Sequence, residues 1–67
     1  MFEVGMGFIR QYATEAAVGE ITSVSEDANA GTLIDVMFED GTVKTYTENC
    51  VMQSLGRRII VTETAFA

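Results

Sequence analysis

The sequence predicts an all-β domain: a small barrel of about five strongly bent antiparallel strands, with one short helical turn before the last strand. Three observations predict it. The first is the stretch Thr32 to Thr47, TLIDVMFEDGTVKTYT, in which two runs rich in β-branched and aromatic residues flank Asp40-Gly41. The second is Arg57 to Thr64, RRIIVTET, which is strongly β-branched. The third is size. The 67 residues contain no proline, no linker and no repeat, so residues 1–67 form a single domain. At this length a closed or nearly closed barrel is economical, because it removes exposed strand edges.

The central hairpin carries the most local information. Asp and Gly tolerate positive φ, so Asp40-Gly41 suits the tip of a two-residue type I′ turn. That turn pairs Glu39 with Thr42, Phe38 with Val43, Met37 with Lys44, Val36 with Thr45 and Asp35 with Tyr46. Side chains alternate across a strand. Ile34, Val36, Phe38, Val43 and Thr45 are therefore expected to face the core, and Leu33, Asp35, Met37, Lys44 and Tyr46 to face out.

The remaining elements follow in order. Phe2 to Arg10 alternates, with Phe2, Val4, Met6 and Phe8 on one face; Gly5 and Gly7 mark a bend, a bulge or a close backbone approach. Gln11 to Ala17 is too short for an independent helix and is read as a loop between strands. Val18 to Ser25 is the second strand. Ile21 and Val24 break strict alternation there, and a bulge or a strong bend buries both. Glu26 to Gly31 is a polar loop. Glu48 to Gly56 reads as one short helical turn, with Thr47 as N-cap, Gly56 as stop, and Cys50, Val51 and Leu55 facing the core.

Composition disfavours several function classes. Ten acidic residues against four basic ones give a net charge of -6, the wrong sign for general nucleic-acid or anionic-membrane binding. There is no His, so the commonest general base and metal ligand is missing. Cys50 is the single cysteine, which rules out an internal disulfide and favours a reducing, cytoplasmic setting. No apolar run approaches the roughly 20 residues that span a bilayer. Asp35, Glu39 and Asp40 alternate or sit at a turn tip, and Glu26-Asp27-x-Asn29-x-Gly31 lacks calcium-loop spacing, so no metal site is expected. Gly5-x-Gly7 lacks the continuation of a phosphate loop, and no cofactor is expected.

Three motifs in order, Val4-Gly5, Gly19-Glu20-Ile21-Thr22-Ser23-Val24 and Val36-Met37-Phe38-Glu39-Asp40-Gly41, followed by a short turn and a last strand, resemble the SH3-like small barrels. The Tudor-like domains of repair helicases and transcription-coupling factors are the nearest in pattern, over about residues 2–55. That resemblance implies an SH3-like barrel that binds proteins or nucleic acids, and fold alone does not choose between them. A narrower stretch is similar to the plasmid-borne type II dihydrofolate reductases, which are oligomeric barrels with a shared pore. Gly5-Met6-Gly7 matches near the first strand, and Gly41, Val43 and Tyr46 match within Gly41 to Tyr46. The family's glutamine and isoleucine are replaced by Lys44 and Thr45, and its basic residue has no counterpart near Gln11 or Tyr12.

These readings converge on a small non-enzymatic interaction module. Its partner is another protein or further copies of itself, engaged through the outer hairpin face and the C-terminal strand. The residues expected at that contact are Leu33, Met37, Lys44, Tyr46, Arg57, Arg58 and Phe66. Leu33, Met37 and Tyr46 form an apolar patch that needs cover in so small a protein. Cys50 has no His to activate it and is read as a small apolar residue. The alternatives are a reductase-like oligomer with Lys44 and Tyr46 at the ligand, and a Tudor-like nucleic-acid module using Arg10, Lys44, Arg57 and Arg58.

Overall fold

The computed structural model describes residues 2–65, so Phe66 lies outside the described residues. Five strands and one helix follow one another: β1 Gly7–Gln11, β2 Ala16–Asp27, β3 Gly31–Phe38, β4 Val43–Thr47, α1 Glu48–Ser54 and β5 Ile59–Thr62. They form one sheet in the order β4-β3-β2-β1-β5, and every neighbouring pair is antiparallel. β4 and β5 stand at opposite ends of that order, so the expected barrel is not closed by a hydrogen-bonded seam.

The sheet nevertheless curls on itself. β1 and β4 are separated by two strands, which in a flat sheet would put them roughly 14 Å apart. Instead the Phe8 ring on β1 stacks on the Tyr46 ring on β4, with centroids 5.1 Å apart and planes 27° apart. The concave face holds the core: Phe2, Phe8, Ile21, Ile34, Val36, Phe38, Val51 and Ile59. Burying side chains of this size is the main favourable term in folding.

The long strand β2 turns the corner. It pairs with β1 through residues Ala16 to Glu20 and with β3 through Gly19 to Asp27. Its register shifts between Ile21 and Ser23, where one extra residue is inserted. The shift turns both Ile21 and Val24 toward the core, as the broken alternation predicts. Gly19 sits where the strands come closest, opposite Phe8 on one side and Phe38 on the other. Those two rings meet edge to face across it, with centroids 6.1 Å apart.

The N-terminal segment differs from its expected alternation. Gly5 has φ +96°, and the chain turns there before β1 begins. Phe2 is buried, but the turn sends Val4, expected on the same face, into solvent. The segment expected as a loop from Gln11 to Ala17 shrinks to residues 12–15, because Gln11 and Ala16 pair.

The central hairpin forms around Asp40-Gly41, but its register differs by one residue from the type I′ expectation. Ile34 pairs with Tyr46, Asp35 with Thr45, Val36 with Lys44 and Met37 with Val43. The connection is a three-residue loop, Glu39 to Gly41. Gly41 donates to the Phe38 carbonyl at 2.9 Å, and Phe38 donates to the Thr42 carbonyl at 2.8 Å. Gly41 has φ +90°, while no non-glycine among the described residues has positive φ, which excludes a type I′ turn. The Asp40 carboxylate accepts from the Thr42 hydroxyl at 2.6 Å and from its N–H at 3.0 Å. Those bonds hold the Asp40 carboxyl below its ordinary pKa. Asp27 is lowered likewise, by the backbone N–H groups of Ala30 and Asn29 that it accepts across the β2–β3 turn.

The helix matches its sequence signals. The Thr47 hydroxyl accepts from the Cys50 N–H at 3.1 Å, and Gly56 takes φ +80° just beyond the end. Val51 is buried, but Cys50 and Leu55, also expected to face the core, are exposed. On this seven-residue helix Val51 is the buried residue and fills the place that faces the core. Replacing Thr47 with Ala is expected to cost about 1 kcal/mol. Urea denaturation reads it as a lower midpoint with an unchanged slope; an unmoved midpoint would show that the cap contributes nothing.

Candidate functional site

The one-residue shift decides which side chains reach solvent. Residues directly opposite on neighbouring strands share a face. Tyr46 therefore lies with Ile34 on the concave side, half-buried on Phe8, and not outward as predicted. Val43 and Thr45, predicted inward, face out. Val43 is 59% exposed beside Met37 at 47%. The Thr45 hydroxyl donates to the Asp35 carboxylate at 2.6 Å. Leu33 is half-buried opposite Thr47. The outward apolar patch thus consists of Met37 and Val43, and Tyr46 has left it.

Lys44 lies on the face opposite to Asp35, so no surface pair forms between them. It is exposed on β4, which among the described residues is an edge strand paired only with β3. Burial pushes the Tyr46 phenol above its ordinary pKa. Tyr12 adds to that rise, while Arg10 and Lys44 oppose it. The phenol therefore lies within electrostatic reach of cations from both β1 and β4.

Arg57 and Arg58 occupy the turn between α1 and β5. Their N–H groups donate to the Ser54 carbonyl at 3.1 and 3.0 Å. The Gln11 N–H donates to the Arg58 carbonyl at 2.7 Å, which ties this turn to the end of β1. Between them is a cavity of about 330 Å³ lined by Arg10, Gln11, Tyr12, Ala13, Arg57 and Arg58. The Arg10 guanidinium carbon stands 5.8 Å from the Tyr12 ring centroid. A second cavity, also about 330 Å³, lies beside Met37 and Gly19 and includes Ala65 near the chain's end. Among the described residues, no group of three or more Cys, Asp or Glu converges to hold a metal ion. No described helix is long and apolar enough to cross a membrane.

Sequence reasoning did not single out Val43 or Tyr12, and it placed Arg10 only among scattered cations. The signal for Arg10 was its spacing: it lies two residues past Phe8, on the same face of β1. That signal becomes legible only once β5 pairs with β1, which sets Arg10 opposite Ile59.

The molecule is a small, curled, all-β domain with one short helix. Searches against protein-family models, curated proteins and solved structures find no match to this chain.

Proposed function

We propose that this chain is a non-enzymatic interaction module of the SH3-like, Tudor-like kind. It docks a protein strand, a second copy of itself foremost, along β4 and the Met37–Val43 face. The fold-level part of this reading is supported by the helical turn before the last strand and by that strand's return to pair with the first. The observation that carries the docking part is the exposed pair itself. Met37 and Val43 stand opposite each other, on and beside a strand with one free edge. An unpaired edge offers main-chain donors and acceptors, and adjacent apolar side chains supply burial.

The test is native mass by light scattering at micromolar concentration. The expected result is a multiple of the 7.3 kDa chain, reduced to one chain by Val43→Asp or Met37→Asp. A single chain in the unaltered protein, or an assembly indifferent to both substitutions, would overturn self-docking on this face.

A further inference from the structure

We propose that the cavity between the end of β1 and the turn before β5 binds a compact phosphate-bearing ligand with an aromatic ring, that is, a nucleotide. Three of the chain's four basic residues, Arg10, Arg57 and Arg58, line it, although the net charge is -6. Among the described residues, no carboxylate lines it with them. Glu15, the acidic residue of the adjoining β1–β2 loop, lines a different cavity. Converging like charges repel one another in the free protein, and a bound anion relieves that repulsion. Guanidiniums suit phosphate because their planar forks donate two bonds at once.

The main chain of the walls is held in place before any ligand arrives. The Gln11 N–H donates to the Arg58 carbonyl, the main-chain N–H groups of Arg57 and Arg58 to the Ser54 carbonyl, and the Tyr12 N–H to the Glu15 carbonyl at 2.7 Å. Such preorganisation lowers the ordering cost of binding. Tyr12 selects among anions. Tyr12 is 43% exposed, with its ring beside the Arg10 guanidinium, and it offers a flat surface on which a base stacks. An acidic peptide would satisfy the arginines and leave that ring unused. The cavity's size, near the lower end for small-molecule sites, fits one nucleotide. The negative charge of the remaining surface disfavours a long polyanion lying across it.

The test is titration of the full chain with ADP, inorganic phosphate, a uridine octamer and a tetraglutamate peptide, followed by amide chemical shifts. ADP is expected to saturate at millimolar concentration or below, with shifts at Tyr12, Ala13 and Gly56 to Arg58. Arg10→Ala and the Arg57→Ala/Arg58→Ala pair are each expected to weaken ADP about tenfold or more. Tyr12→Ala is expected to weaken ADP while leaving inorganic phosphate unchanged. Retained amide dispersion in each variant shows that the fold survives. The octamer is expected to bind more weakly than ADP; an octamer that binds more tightly would overturn the assignment to a compact, free nucleotide. No saturable ADP shift, shifts confined to other residues, or tetraglutamate binding as tightly as ADP would each overturn the proposal.

Discussion

Phe8→Ala is expected to cost about 4 kcal/mol, the usual range for emptying a large aromatic from a packed core. Phe8 is fully buried and touches two other rings, stacking on Tyr46 and meeting Phe38 edge-on. A domain of this length has a total stability of roughly 3–10 kcal/mol, so the substitution removes from about two-fifths to all of it at 25 °C. Circular dichroism against urea reads this directly. Val43→Ala is the control: Val43 is exposed, and the change should stay within about 0.5 kcal/mol. A double-mutant cycle between Phe8 and Tyr46 sharpens the test. Stacked rings should couple by about 0.5–1.5 kcal/mol. Additive effects would mean that the sheet does not curl enough to bring β1 onto β4.

Gly19→Ala is the second large effect, expected at about 3 kcal/mol by analogy with overpacked cores. A Cβ at this position would lie 2.6 Å from the Met37 carbonyl oxygen, 2.9 Å from Val36 Cγ1 and 3.0 Å from Phe38 Cδ1. The nearest of these is backbone, which cannot swing aside as a side chain can. The obstacle is space, because Gly19 is in the extended strand β2 and lacks positive φ. Gly31→Ala provides the contrast: Gly31 has φ +80° and open space around its Cα. Its cost is backbone strain, of about 1 kcal/mol. If Gly19→Ala matched or undercut Gly31→Ala, β2 and β3 would not approach as closely as Gly19 requires.

The two glycines show what was legible. Turn glycines announce themselves by their neighbours: Asp40-Gly41 marks a hairpin and Gly56 a helix end, and both take positive φ. Gly19 sits inside an ordinary strand pattern, and nothing local says that β3 will lie against it. The cap at Thr47 and the bulge that turns Ile21 and Val24 toward the core were also readable, because each depends on residues within one turn or one strand. Phe66, expected at the contact, falls outside the described residues.

By itself, the sequence determined the elements, their order and the ends of the helix, since propensity, capping and turn chemistry act over a few residues. It did not determine the register of β3 against β4. A two-residue and a three-residue loop both accommodate Asp40-Gly41, yet they differ by one residue and so exchange the faces of the whole of β4. The choice belonged to the tertiary structure. Setting Tyr46 opposite Ile34 lets its ring stack on Phe8 from a distant strand, a ring contact that Val43 in its place would lack. The same long-range pairing, β5 returning to β1, gathered Arg10, Arg57 and Arg58 around one cavity. Such contacts join residues far apart in the chain, and no local pattern encodes them.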